Sequence, residues 1–109
     1  MYTTLRIESL IIEEDRPFHI SKHHVIVDEV LEVISQDYVY IKAKHARWQL
    51  IGRTKKNRFL TIIVGKRLGK NTYGLVTARP SSKKERYFWK EFTFQLGGES
   101  EDEKKQDNN

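Results

Sequence analysis

The stretch VTARPSSKKER, residues 76–86, marks the boundary between two structural elements. Pro80 has no N–H to donate to a β-ladder and ends the strand that precedes it. Ser82 and Glu85 have the spacing of a capping box, in which Ser82 accepts from the Glu85 amide and the Glu85 carboxylate reaches back to the Ser82 amide. The stretch therefore predicts a strand ending at Arg79 and a helix beginning after Ser82.

The segments upstream of Arg79 predict four consecutive antiparallel strands joined by short turns, because they alternate in polarity or are apolar throughout. These segments are DYVYIKA (37–43), RWQLIGRT (47–54), RFLTIIVGK (58–66) and TYGLVTAR (72–79). Strict alternation in the last strand places one set of side chains together on one face: Tyr73, Leu75, Thr77 and Arg79.

The N-terminal third predicts a further strand and one or two helices. Residues 5–12 favour the strand, Pro17 suits the first turn of a helix, and apolar residues recur at helical spacing over 27–34. The predicted fold class is α+β: an antiparallel four- to five-stranded meander sheet with one or two N-terminal helices and a C-terminal helix. We expect the helices on one face of this sheet, and Arg47, Arg53 and Arg79 on the other face or its rim.

A length of 109 residues suits one domain, which we place at residues 1–96. The segment 97–109, GGESEDEKKQDNN, has no apolar residue and predicts a disordered acidic tail. The chain has no cysteine, which excludes disulfides and thiolate zinc sites. No apolar run approaches the roughly 20 residues of a membrane-spanning helix, and no secretory signal is evident. We expect a cytoplasmic protein without membrane partners.

The charge of the chain is concentrated in its middle. Residues 42–90 contain 15 Lys and Arg but a single acidic residue, Glu85, whereas residues 1–41 contain 3 and 8 respectively. Such a field attracts polyanions, either nucleic acid or an acidic protein. A basic surface without a specific partner is the simpler alternative.

The candidate chemistry of this sequence requires neither metal nor cofactor. His19 and His23 are spaced to share a divalent ion on a helix, but a zinc site needs a third ligand, and no phosphate-binding glycine loop is present. RNA carries its own nucleophile, the 2′-OH, so a protein can cleave it with positioned cations and proton carriers. Arg53, Arg79 and Arg86 are candidates for holding the phosphate, and His23 and Glu85 for moving protons.

Other cations are candidates for contacts along the RNA backbone: Lys22, Arg47, Lys55, Lys56, Arg58, Lys83 and Lys84. A basic sheet that only binds RNA or DNA would show the same pattern. The residues alone therefore leave three hypotheses open: a ribonuclease, a non-catalytic nucleic-acid-binding or regulatory module, and a basic interaction protein for an acidic partner.

Three segments resemble the signature blocks of BrnT-type toxins and together cover about residues 21–90. They are SKHHVIVDEVLEVI (21–34), QLIGRTKKNRFLTIIV (49–64) and LVTARPSSKKERYFW (75–89). The chain departs from the family pattern at His24, Ile26 and Trp89, where glycine, a Ser/Thr cap and tyrosine are usual, so the resemblance is to a diverged member.

This resemblance implies a RelE-like fold and a metal-independent endoribonuclease toxin of a type II toxin–antitoxin system, which cleaves RNA to inhibit translation. The implied partners are RNA and a cognate antitoxin, a small DNA-binding protein encoded beside the toxin. The family's site falls by position on six residues of this chain: Lys22, His23, Arg53, Arg79, Glu85 and Arg86.

Overall fold

The computed structural model describes residues 5–97, and side chains as far as residue 92. The elements are β1 (Ser9–Ile11), α1 (Arg16–Ser21), α2 (Val27–Ile34), β2 (Tyr38–Ala43), β3 (Arg47–Arg53), β4 (Phe59–Lys66), β5 (Thr72–Pro80) and α3 (Lys83–Gly97). The predicted α+β class, the two N-terminal helices and the C-terminal helix are confirmed. The predicted acidic tail lies outside the described residues except for Gly97, which ends α3.

The five strands form one mixed sheet in the order β1-β5-β4-β3-β2. Strands β2 to β5 are the predicted antiparallel meander, but β1 runs parallel to β5, so the prediction of a purely antiparallel sheet is wrong. A short turn forces antiparallel pairing only between strands that it connects, and β1 is separated from β5 by two helices and three strands. The strand predicted over residues 5–12 is shorter in the structure, where it spans Ser9–Ile11.

A β-bulge in β5 divides the side chains that were predicted to share one face. Ile63 pairs with Thr77 and Val64 pairs with Leu75, which leaves Val76 as the extra residue. Because side chains alternate with a period of two, one inserted residue inverts the pattern beyond it. Thr77 therefore faces the same side as Arg79, whereas Tyr73 and Leu75 face the opposite side with the apolar core.

The helices pack on opposite faces of the sheet, so the expectation of a single covered face is wrong. A Cβ built on Gly52 would lie 2.9 Å from Cγ1 of Val33, which places α2 on that face. The ring of Trp89 in α3 packs edge-on against Phe59, with 5.2 Å between centroids, and Phe59 points to the other face. The reason lies in β3 and β4, whose residues are buried on both sides and need two covering layers.

The α2 face contains the main apolar core. Val30 and Val33 of α2 are fully buried together with apolar side chains of the sheet: Leu50, Leu60, Ile62, Val64, Leu75 and Ala78. The helix α1 packs beside β5 beyond the end of β1, where Nη1 of Arg16 donates to the Val76 carbonyl at 2.6 Å. Within residues 5–97, no helix combines the length and the apolar character that crossing a membrane requires.

One end of the sheet brings together two chain segments that are far apart in the sequence. The turn between β3 and β4 is closed by Thr54, whose hydroxyl accepts from the amides of Lys56 and Arg58, and by Asn57 at a φ of 65°. The Ser81 amide donates to the Phe59 carbonyl at 3.1 Å. The end of β5 and the start of α3 are thereby held beside the β3–β4 turn.

Candidate active site

Seven of the predicted cationic residues lie at the end of the sheet that carries the β3–β4 turn. We call this surface the basic end, and it consists of Arg53, Lys55, Lys56, Arg79, Lys83, Lys84 and Arg86. The four lysines are exposed, two on the turn and two in the first turn of α3. The arginines differ from them because each contacts another part of the chain.

Arg79 forms a two-pronged ion pair with Glu85. Its Nη1 donates to Oε1 at 2.8 Å and its Nη2 donates to Oε2 at 2.7 Å. The carboxylate is only 15% exposed, whereas the arginine side chain is 39% exposed. This pair joins the end of β5 to the first turn of α3 and leaves part of the guanidinium open to solvent.

Glu85 accepts hydrogen bonds from four groups. Besides Arg79, the Gln49 amide donates to Oε2 at 2.7 Å, and the Thr61 hydroxyl and the Ser82 backbone amide each donate to Oε1 at 2.8 Å. The Ser82 hydroxyl in turn accepts from the Glu85 amide at 3.2 Å. Both halves of the predicted capping box are therefore formed, and the same carboxylate connects α3 to three strands.

These contacts determine the charge state of Glu85. The hydrogen bonds from Arg79 are the largest influence, and with those from Ser82 and Thr61 they lower the pKa of the carboxyl to about 2 despite its partial burial. A carboxylate with such a pKa accepts a proton poorly near neutral pH, where catalytic bases operate best. The geometry therefore makes Glu85 an anchor for Arg79.

Arg53 is held by the next turn of the same helix. Its guanidinium carbon lies 4.6 Å from the centroid of the Trp89 ring, and Nη1 donates to Oδ1 of Asn57 at 3.2 Å. Trp89 follows Glu85 by four residues, so one face of α3 contacts both arginines. Arg53 lies on β3 and Arg79 on β5, with β4 between them, and their positions differ by two residues along the strand direction. Their Cα atoms are therefore about 12 Å apart.

Two further predicted arginines make contacts within the chain. Nη1 of Arg86 donates to the Ser81 carbonyl at 3.0 Å, so its guanidinium lies back along the start of α3. Arg58 bonds both oxygens of Glu29 at 2.9 Å and ties the β3–β4 turn to α2. Arg58 therefore acts as a structural tie on the opposite face from Arg79.

Two of the predicted RNA contacts are not brought to the basic end. Arg47 begins β3 whereas Arg53 ends it, so about 20 Å of strand separates them. Lys22 follows α1, and its ammonium lies 5.2 Å from the centroid of the Phe18 ring.

The predicted proton carrier His23 is exposed after the end of α1, and His19 lies beside it with 5.9 Å between ring centroids. His19 is half-buried, and its Nε2 lies 3.2 Å from the Thr77 hydroxyl. Thr77 precedes Arg79 by two residues on the same face, a step of about 7 Å. The structure thus brings His19 close to the arginine strand end, a residue that sequence reasoning weighed only as a metal ligand. Its i,i+4 spacing to His23 was the available signal.

The pair of histidines does not form part of a larger set of metal ligands within the described chain. No group of three or more His, Cys, Asp or Glu side chains converges in residues 5–97. The third donor that a His19–His23 site would need is therefore not supplied by these residues.

The comparisons with known proteins include a match to a solved structure. No protein-family model and no curated protein sequence matches the chain. Among solved structures, the chain is similar to the Brucella abortus ribonuclease toxin BrnT, with a TM-score of 0.53 and 23% identity. The fold is similar to that of BrnT. The match covers 73% of this chain and the whole of the BrnT chain.

The BrnT likeness confirms the resemblance that the three sequence blocks indicated, at the level of the fold. The likeness therefore concerns the arrangement of the sheet and the helices that carry the candidate site. Identity of 23% carries no residue roles with it.

Proposed function

We propose that this protein is a metal-independent endoribonuclease toxin of a type II toxin–antitoxin system, acting on RNA in the cytoplasm to inhibit translation. The BrnT-like fold supports this proposal, because the similar solved structure is that of a ribonuclease toxin. The high density of cations over residues 42–90 supports it independently, since a polyanionic substrate requires such a field.

The observation that carries the proposal is that two guanidinium groups are held in place on one side of α3. Arg79 is fixed by Glu85 and Arg53 by Trp89. Cations positioned before the substrate arrives stabilise the charge that builds on a phosphate in the transition state without reorganising. Guanidinium is suited to this role because its planar donors match phosphoryl oxygens and it remains charged.

In the proposed reaction the RNA 2′-oxygen attacks the adjacent phosphorus while a histidine removes the 2′-proton. The bond to the 5′-oxygen breaks, and that oxygen leaves with a proton from a second group. The products are a 2′,3′-cyclic phosphate and a 5′-hydroxyl. His23 and His19 are the proposed proton carriers, since histidine has the side chain whose ordinary pKa is nearest neutrality. Glu85 is a positioning residue for Arg79.

We further propose a cognate antitoxin as the protein partner, encoded beside this chain. The four exposed lysines of the basic end, Lys55, Lys56, Lys83 and Lys84, would contact the RNA backbone and would be masked in the complex. Co-expression of the neighbouring gene should then relieve any toxicity, which distinguishes a toxin from a ribonuclease with another role.

A second candidate function is a non-catalytic nucleic-acid-binding module. It is favoured by the hydrogen bonds that the arginines already donate to groups of the same chain. Both terminal nitrogens of Arg79 are bonded to Glu85, and Arg86 donates to a backbone carbonyl. If these contacts remain when RNA is bound, the arginines would add positive charge to the surface but would not bind a phosphate in the transition state.

Cleavage of a defined 5′-labelled RNA by the purified protein tests the proposal. We expect cleavage that EDTA does not inhibit, fragments ending in 2′,3′-cyclic phosphate, and no reaction on RNA whose 2′-hydroxyls are methylated. Induced expression should arrest growth. Absence of cleavage and of growth arrest, with or without added Mg²⁺ or Mn²⁺, would leave the binding module as the function.

A further inference from the structure

A small cavity opens beside Arg53, on the side of the basic end where α2 is followed by β2. It has a volume of about 250 Å³ and is lined by Gln36, Asp37 and Arg53. Pockets for drug-sized ligands typically exceed about 300 Å³, so this cavity suits a smaller group. None of the three segments that resemble BrnT-type toxins includes Gln36 or Asp37.

The hydrogen-bonding capacity of the lining is unusual for a phosphate site. The Gln36 side-chain amide nitrogen already donates to the backbone carbonyls of Arg53 at 3.0 Å and Glu32 at 3.3 Å, so the amide presents its oxygen. Within residues 5–97, no hydrogen bond or ion pair engages the exposed Asp37 carboxylate. Two acceptor groups thus stand beside one guanidinium donor, and a carboxylate repels phosphate.

We propose that this cavity is a guanine-binding subsite, which reads one base of the RNA bound at the basic end. Guanine presents two adjacent donors, N1–H and the 2-amino group, which match the two oxygens of the Asp37 carboxylate. Its O6 is an acceptor for the Arg53 guanidinium. Splayed bases of single-stranded RNA are commonly recognised on their Watson–Crick edges and stacked on guanidinium planes.

The other bases fit this lining less well. Adenine places an acceptor at N1 beside its amino donor, and cytosine offers one amino group next to an acceptor. Uracil has a single N–H between two carbonyls. Each of them would set an acceptor against the carboxylate and leave a polar group without its partner, which is the usual origin of strong discrimination.

The subsite rests on the proposed function for its substrate class, but its test does not require cleavage. Fluorescence anisotropy would measure the binding of four labelled 2′-O-methyl pentamers. Each is an oligouridine whose central nucleoside is guanosine, inosine, adenosine or uridine. These cannot react because they lack the nucleophile. We expect the wild type to bind the guanosine pentamer on the order of tenfold more tightly than the adenosine or uridine pentamer, with inosine between them.

Asp37→Asn should abolish this preference, because an amide presents a donor where guanine also has one. Asp28→Asn is the matched control: it makes the same change of charge at an exposed position in the first turn of α2. It should raise the affinity for all pentamers slightly and keep their order. Circular dichroism checks that both variants are folded.

Equal wild-type affinities for the four pentamers, no binding to any of them, or a preference that survives Asp37→Asn would each overturn the subsite. RNA cleavage without base preference would reject the subsite and leave the proposed function standing. A guanine preference without any cleavage would support the subsite on a binding module and reject the nuclease.

Discussion

The two faces of the sheet hold their helices by different means. On one face, Val30 and Val33 of α2 are fully buried against apolar side chains of the sheet. On the other, α3 is attached through Glu85, which accepts from Arg79, Gln49 and Thr61. The first contact depends on apolar area removed from water, and the second on donors and acceptors that meet at fixed angles.

The difference indicates which face is suited to positioning a charge. Apolar burial is non-directional, so the α2 face stabilises the domain without orienting any polar atom. The hydrogen bonds around Glu85 fix the direction of the Arg79 guanidinium and the start of α3 together. We expect mutations on the α3 face to change activity and attachment of that helix, and mutations on the α2 face to change global stability.

Arg79→Lys should give the largest effect. One positive charge is kept, so most of the RNA affinity should remain, but the two-pronged fork is lost and cleavage should fall on the order of a hundredfold or more. The readout is single-turnover cleavage beside RNA binding. Arg67→Lys is the matched control, because Arg67 also pairs with a carboxylate, that of Glu13, and is equally 39% exposed. Equal cleavage by Arg79→Lys and the wild type would remove Arg79 from the catalytic site.

Glu85→Gln should lower the free energy of unfolding by about 2 kcal/mol, because it removes the charge opposite Arg79 and turns a donor toward the Gln49 amide. Urea denaturation would measure it, with Trp89 as the reporter of α3 in a Trp48→Phe background. Glu29→Gln is the control on the α2 face, where the carboxylate accepts from two groups of the described chain, Arg58 and the Ile26 amide. A larger loss for Glu29→Gln would contradict the difference between the faces.

Gly52→Ala should destabilise the α2 face by about 1–2 kcal/mol through overpacking. The new methyl group would lie 2.9 Å from Cγ1 of Val33 and 3.1 Å from Cβ of Tyr38, so α2 or β2 must shift. Gly65→Ala is the control, since its nearest contacts are at 3.8 Å. Thermal denaturation that gives the same midpoint for both variants would show that α2 is less tightly packed on β3 than described.

The smallest expected effect is a pH dependence that belongs to the α3 face. The folded-state pKa of Glu85 is about 2, below its ordinary value of 4.5, so the ionised carboxylate stabilises the fold above pH 4.5. That contribution is lost as pH falls from 4.5 toward 2. The difference in free energy of unfolding between the wild type and Glu85→Gln should therefore shrink over this range. A constant difference would mean that the carboxyl titrates normally.

The elements of this fold were predictable where local signals determine them. The capping box at Ser82 and Glu85 and the short turn between β3 and β4 follow from short-range chemistry, and both are formed as predicted. The bulge at Val76 and the parallel pairing of β1 depend on contacts between distant segments, which alternation within one strand does not encode. The separation of the helices onto two faces likewise became apparent only from the sheet register.

The backbone conformation of some turns was not predictable from the sequence, because the residues that form them are atypical. His45 and Ala46 between β2 and β3, and His24 after α1, adopt φ values of 62°, 56° and 64°, a region that favours glycine. His24 stands where the BrnT-type pattern has glycine, so the left-handed backbone is formed without the usual residue. In the candidate site, the position of the arginines at strand ends was predictable from the sequence. Asp37 and His19 were not, because only tertiary packing brings them beside Arg53 and Thr77.

The parallel pairing of β1 with β5 also bears on how the chain folds. The meander β2 to β5 closes through short turns, whereas pairing Ser9 with Thr72 must close a loop of more than half the chain. Loop-closure entropy makes such non-local contacts late and slow relative to hairpins. We therefore expect the meander to form the folding nucleus. The strand β1 is only three residues long and is the element most easily released from the native sheet. Amide hydrogens would then exchange fastest at this edge, which makes the N-terminal strand the weakest part of an otherwise cooperative unit.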